Sequence, residues 1–301
     1  MNMPAAAQAF ALAPWMTEQL ALVEQALGQA LHADGPAGLG QAMRYAVQGG
    51  GKRLRPLLVL AACQAVGGQL PAALRAACAV ELIHAYSLVH DDMPCMDNDV
   101  LRRGKPTVHV QFGQAQALLA GDALQALAFE LLTPEQGVDV AVQARLCRLL
   151  ALAAGAQGMA GGQAIDLANV GCPLDEAQLR HMHSLKTGAL LQASVAMGAA
   201  CGPASAQAAQ ALAQYGACIG LAFQVVDDIL DVTQDSATLG KTAGKDAAQD
   251  KPTYVALMGL AGARAHADEL LAQAQAHLVA SGLADTRALA ALADMVVRRT
   301  H

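Results

Sequence analysis

The sequence predicts an all-α fold in a single domain spanning 1–301. Three observations carry that expectation. The 301 residues are 54% hydrophobic but only 3% aromatic, apolar residues recur at helical spacing between Gly and Pro breaks, and no two-residue hairpin signal stands out. An Ala- and Leu-rich chain poor in strand-favouring residues suits closely packed helices. Breaks at Asp34-Gly35-Pro36, Gly49-Gly50-Gly51, Gly67-Gly68, Thr133-Pro134, Gly171-Cys172-Pro173, Gly202-Pro203 and Ser281-Gly282 give a bundle of about ten or more helices. The texture is uniform, with no linker-like run to divide it.

Taken in order, the first notable segment is Gly51-Lys52-Arg53-Leu54-Arg55-Pro56. Its glycines allow close backbone approach, Lys52 and Arg55 share a helical face, and Arg53 faces elsewhere as a surface or structural charge. Ala77 to Asp92 then reads as a helix carrying His84, Leu88 and Asp91 on one face. Its acidic end, Asp91-Asp92, sits where the helix dipole is already negative, and Pro94 stops the helix so that a loop brings Asp97 back toward Asp91. An acidic, solvated cap is the plainer reading of this cluster taken alone. Beyond it, Arg102 and Arg103 point in different directions, each able to fork onto a phosphate.

Thr133-Pro134-Glu135 and Pro173-Leu174-Asp175-Glu176 read as helix starts. Gln163 and Asp166 form a polar pair in an apolar helix, and Lys186-Thr187-Gly188 marks a helix interruption. Ala222 to Asp231 continues an apolar helix in which Asp227 and Asp231, four apart, share a face that a metal can bridge. Lys241, Lys245 and Lys251 then stand in a Gly-rich loop suited to cover phosphates. The six aspartates of the two clusters repel and are costly to desolvate, so they call for a cation. Hard oxygen ligands point to Mg²⁺, which is usually held by carboxylates together with substrate phosphates.

Composition narrows the partners. A net charge of -6 argues against nucleic acid. Seven cysteines without CxxC spacing indicate a reducing compartment, and Met1 to Leu20 lacks the pattern of a signal peptide, so a cytoplasmic enzyme is expected. The charge-free stretch Thr187 to Val226 is interrupted by Gln and Gly-Pro, so it reads as buried helices rather than a membrane span. His90, His181 and His183 complete no tetrahedral zinc set, and His90 reads as a structural hydrogen-bonding residue.

Eight motifs in unbroken order carry a family resemblance: GGKRLRP at 50–56, ELIHAYSLVHDDMPCMD at 81–97, LRRGKPT at 101–107, GDALQALAFELL at 121–132, GMAGGQAIDL at 158–167, HSLKTGALL at 183–191, GLAFQVVDDILD at 220–231 and TLGKTAGKD at 238–246. Together they resemble the trans-prenyl diphosphate synthases, and within them the bacterial farnesyl diphosphate synthases. The four residues between Asp92 and Asp97 match the longer bacterial form of the first cluster. The resemblance implies an isoprenoid synthase fold around a deep central cavity, a homodimer, and three magnesium ions per site with substrate bound.

It also implies residue roles. Asp91, Asp97 and Asp166 would hold metal on one side, and Asp227, Asp231 and Asp246 on the other, with Asp92 and Asp228 less direct. Arg102, Lys186 and Lys241 would contact the allylic diphosphate, while Lys52, Arg55, His84 and Arg103 would bind isopentenyl diphosphate, with Lys251 and Arg299 in support. The Lys186 carbonyl, Thr187 hydroxyl and Gln224 amide oxygen would face an allylic cation. Tyr86 and Ser87, the latter about 6 Å deeper than Asp91, would set product length, and the small Ser87 beside an aromatic implies farnesyl diphosphate. Geranyl or geranylgeranyl synthases, a terpene cyclase and a noncatalytic synthase subunit are the alternatives. The basic set and the two whole aspartate clusters weigh against the last two.

Overall fold

The computed structural model describes residues 10–172, 174–234 and 253–299. The first helices are α1 Leu12–Ala30, α2 Leu39–Gln48, α3 Leu54–Ala65 and α4 Leu70–Asp91. After a short hairpin come α5 Val108–Phe112, α6 Gln114–Leu132, α7 Val140–Ala154, α8 Met159–Ala168 and α9 Glu176–His183. A π turn, Ser184–Gly188, leads into α10 Ala189–Ala200, followed by α11 Ala206–Thr233, α12 Tyr254–Ala280 and α13 Arg287–Arg298.

Helix α4 lies in the core. Ala77, Cys78, Ala79 and Val80, four consecutive residues that together go round its circumference, are all buried, the expected fate of a helix apolar all round. It begins at Leu70 rather than near Ala77, because Pro71 suits the first turn and the apolar pattern runs on from there. It packs on α3 and α6, α3 packs on α10, α10 on α11, and α11 on α12. The charge-free stretch becomes α10 and most of α11, with Leu190, Val195, Met197, Leu212 and Ile219 buried. By length and composition α4 and α6 resemble membrane spans, but the most apolar window of α4 is 67% buried and that of α6 only 33%.

Three local expectations are corrected. Residues 101–106 form a hairpin, Leu101–Arg102 against Lys105–Pro106, whose two-residue turn has positive φ at both Arg103 (52°) and Gly104 (73°). An Arg in the position usually held by Asn or Asp hid this turn from the sequence. Helix α7 starts at Val140 rather than near Pro134, because the Asp139 carboxylate accepts from the Ala141 and Val142 backbone N–H groups. Lys52 lies outside α3, which begins at Leu54 after Arg53 takes φ 47°, so Lys52 and Arg55 share no helical face. The start of α9 fits its sequence signature: Asp175 and Gln178 form a reciprocal capping box.

Arg53 is a structural charge and a buried one. Only 4% exposed, it donates to Glu24 at 2.7 Å, to Glu81 at 2.7 Å and to the Val47 carbonyl at 2.8 Å. It thereby ties α1, α2 and α4 to the entry of α3, and such a pair is tolerable only because its donors are satisfied.

Candidate active site

The first aspartate cluster sits where α4 stops. Asp97 N–H donates to the Asp91 carbonyl at 2.8 Å, so the loop folds back as the Pro94 break predicts. The two adjacent carboxylates divide. Asp92 is 3% exposed and is gripped by Arg102, with Nε 2.8 Å and Nη2 2.6 Å from its oxygens. Asp91 instead lines a cavity. Burial first, then the charges of Asp97 and Asp92, push its carboxyl up to about 6 against the opposing pull of Lys186. Arg102 therefore forks onto Asp92 rather than standing open to a phosphate, because that carboxylate is the nearest anion.

Helix α8 and the π turn form the facing wall. The Lys186 ammonium donates to Asp166 at 2.6 Å; burial pulls its pKa down, but Asp166, Asp91 and Asp97 together lift it above the ordinary lysine value. The predicted interruption at Lys186-Thr187-Gly188 is this widened turn rather than a break, a device often found at functional sites. Thr187 O–H donates to the Gln224 amide oxygen at 3.2 Å, and Gln224 Nε2 donates to Asp228 at 2.9 Å. The other Asp228 oxygen accepts the Tyr254 N–H at 2.8 Å. Asp228, 2% exposed, thus orients Gln224 and anchors α12, as Asp92 anchors Arg102.

Several cationic residues gather around His84. Arg55 and His84 line the cavity, and Arg55 lies close enough to Asp227 to feel its charge. Burial, then the charges of Arg55, Arg103 and Arg102, holds the His84 pKa well below its usual value, so His84 is a neutral ring. Arg103 donates to the Gly50 carbonyl, and its guanidinium lies so near Gly51 that an added Cβ would fall 2.8 Å from Nη1. The glycines admit that arginine. Asp227 receives Arg299 Nη2 at 2.6 Å, while the same guanidinium donates to the Phe223 carbonyl at 2.7 Å and lies 3.9 Å over the Phe223 ring. Lys52 senses both Asp227 and Arg299.

The cavity holds about 380 Å³ and joins Arg55, His84, Tyr86, Ser87, Asp91, Gln163, Lys186 and Thr187. Ser87 O–H turns back to the His84 carbonyl at 2.9 Å, leaving little bulk on its wall. The Tyr86 ring meets His90 edge-on with centroids 5.6 Å apart. His90 Nε2 lies 3.1 Å from the Leu118 carbonyl, consistent with a structural hydrogen bond. Asp231 is 5% exposed on the same helix as Asp227. Lys241, Asp246 and Lys251 lie outside the described residues. The sequence assigns no role to Gln163; its three-residue spacing from Asp166 on an otherwise apolar helix is the available signal. The value of Arg299 as a direct partner of Asp227 was likewise invisible, since 72 residues separate them.

Comparison with known proteins places this arrangement. Residues 36–283 match the polyprenyl synthetase family. The chain is 44% identical over 290 residues to a farnesyl diphosphate synthase of Geobacillus stearothermophilus, covering 95% of this chain and 97% of that one. It is 45% identical over 295 residues to geranylgeranyl pyrophosphate synthase 7 of Arabidopsis thaliana, covering 97% and 85%. The crystal structure of a Helicobacter pylori geranyltransferase complexed with magnesium and isoprenyl diphosphate superposes with a TM-score of 0.83 at 33% identity, over 97% of this chain and 98% of that one. With the match spanning most of the chain and the all-α architecture shared, this protein belongs to the polyprenyl synthetase family and is a prenyltransferase.

Proposed function

We propose that the enzyme condenses isopentenyl diphosphate with dimethylallyl and then geranyl diphosphate, releasing pyrophosphate and giving farnesyl diphosphate. One observation carries the reading: a single cavity is lined by Arg55 and His84, by Asp91, Lys186 and Thr187, and by Tyr86 with Ser87. Two differently charged subsites against one apolar chamber suit a cationic coupling of two diphosphates. The whole chain is read as one catalytic domain.

The donor set fits magnesium. Asp91, Asp97, Asp227 and Asp231 offer hard oxygens, and a cation would offset the penalty that burial puts on the Asp91 carboxylate charge. Among the described residues no group of three or more His, Cys, Asp or Glu is placed to hold a metal ion; magnesium is usually held by one or two carboxylates together with substrate phosphates. Three ions per site, with Asp166 and Asp246 contributing, complete the proposed set. Magnesium, when bound, supplies neutralisation of the charge growing on pyrophosphate.

The chain's own residues do the rest. Lys186 and Arg102, parked on Asp166 and Asp92 in this structure, are transferred to the allylic diphosphate together with Lys241. Lys52, Arg55, His84 and Arg103 hold isopentenyl diphosphate. The C–O bond of the allylic substrate ionises, and the isopentenyl double bond forms the new C–C bond. The adduct then gives a proton to the departed pyrophosphate. Thr187, Gln224 and the Lys186 carbonyl face the cation, and the apolar wall keeps water from it.

A geranylgeranyl product is the second reading, favoured by the 45% identity to a synthase of that name. Tyr86, a large ring beside the cavity, favours the shorter farnesyl chain. The deciding experiment incubates the protein with Mg²⁺, isopentenyl diphosphate and either dimethylallyl or geranyl diphosphate and measures product length. Farnesyl diphosphate is expected, and no condensation with either acceptor would sink the reading. Ser87→Phe is expected to shift the product to geranyl diphosphate; unchanged farnesyl output would show that Ser87 does not limit the acceptor.

We further propose a homodimer in the cytoplasm. Helix α6 has no basic residue and exposes Leu118 and Leu119, at 46% and 52%, on a helix of membrane-like hydropathy. A second copy of such a face is self-complementary. A sedimentation mass equal to one 30.8 kDa chain would exclude the dimer. The seven free thiols support a reducing compartment, and recovery of the native protein from a membrane or exported fraction would contradict it.

A further inference from the structure

Gln163 is 9% exposed, and neither its amide oxygen nor its amide nitrogen has a hydrogen-bond partner among the described residues. A buried amide with both atoms unpaired is destabilising and rare in native proteins, so its retention calls for a reason. Its surroundings supply one. Gln163 lines the same cavity as Ser87, Asp91, Lys186 and Thr187, and the other cavity-lining residues of α8, Met159, Ala160, Ala164 and Leu167, are apolar. It is therefore the one polar side chain that α8 gives to the lining of this cavity.

Helical geometry fixes its level. Gln163 lies three residues before Asp166 on α8, and Ser87 lies four before Asp91 on α4, so each stands about one turn, roughly 5 Å, below its aspartate. The aspartates mark the diphosphate level of the function proposed above, on which this inference rests. One turn below is the level of the first isoprene unit.

We infer that Gln163 is a catalytic residue that turns its amide oxygen toward the allylic cation, from the wall that α8 forms together with the Thr187 turn. An amide oxygen suits that place: it carries partial negative charge yet is too weak a nucleophile to capture the cation. The dipole gains little from the neutral allylic chain and much from the cation, which is the differential binding that accelerates a reaction. The missing pairing in the ligand-free protein is then the counterpart of an interaction reserved for the transition state.

The test compares the parent with Gln163→Leu, and with Gln163→Met should the branched side chain fold poorly. Three readouts are taken: Tm without ligand, single-turnover condensation of geranyl with isopentenyl diphosphate, and affinity for two analogues. One analogue is geranyl S-thiolodiphosphate, a neutral-chain mimic; the other is an aza analogue with a protonated nitrogen at the charged carbon. The variant is expected to melt no lower than the parent, to bind the thiolodiphosphate within twofold, and to lose about 10- to 100-fold in both turnover and affinity for the aza analogue. Equal loss for both analogues, no loss for either, a lower Tm, or longer products at parental turnover would each overturn the inference. Parental condensation with an unaffected variant defeats this inference alone, whereas absence of condensation in the parent defeats the function itself.

Discussion

Asp91→Asn is expected to lower kcat by about 10²- to 10³-fold, the usual scale for removing one preorganised electrostatic group, while raising the thermal stability of the ligand-free protein at pH 8. The second half follows from the sign of the shift. Burial first, then Asp97, lifts the Asp91 pKa from its ordinary value near 4 to about 6 in the folded state. A carboxyl whose folded pKa lies above its unfolded one contributes stability that is full below about pH 4 and is lost as pH rises through about 6. Above pH 6 the native protein therefore carries a carboxylate charge it disfavours, and Asn removes that charge. Calorimetry across pH 4 to 8 should show the difference in Tm between variant and parent opening with pH and narrowing when Mg²⁺ and a diphosphate are added to the parent. A variant that keeps activity within tenfold of the parent, or that melts lower at pH 8, would remove Asp91 from the proposed metal site.

Gly162→Ala is expected to damage the site from outside it. A Cβ on Gly162 would lie 2.1 Å from the Lys186 nitrogen and 2.5 Å from the Lys186 Cα. These are backbone atoms of the π turn, so α8 and the turn must separate. The cost is that of overpacking, about 1–3 kcal/mol, and a fall of several degrees in Tm. The separation also parts Lys186 from Asp166, now 2.6 Å apart. A misplacement of roughly 1 Å at such a pair is expected to reduce kcat by up to about 10²-fold. Gly28→Ala is the matched control, since a Cβ there meets nothing within 4 Å on a regular stretch of α1. It should gain about 0.5–1 kcal/mol and leave kcat alone. Parental stability and turnover in Gly162→Ala would show that the two segments do not press together.

Legibility in the sequence followed the range of the interaction. The helices carrying the two clusters, the stop near Pro94 and the return of Asp97 were readable, because each depends on residues within a turn or two. The hairpin at 101–106 was not, since Arg103 holds a positive φ that its residue type does not advertise. Lys52 was misplaced onto α3 for the same reason: the left-handed Arg53 beside it is held there by Glu24 and Glu81, 29 and 28 residues away.

By itself the sequence determined that the chain is helical, which carboxylates share a face, and which family the ordered motifs resemble, all of which rest on local period and residue order. Only the tertiary structure decided how neighbouring carboxylates divide their work. Asp92 and Asp228 are bound by Arg102 and by Gln224 with Tyr254, whereas Asp91 is turned to the cavity and Gln163 stays unpaired beside it. Residues adjacent in a helix point about 100° apart, so which of them meets a partner depends on the helix lying opposite, and that is a property of packing rather than of spacing.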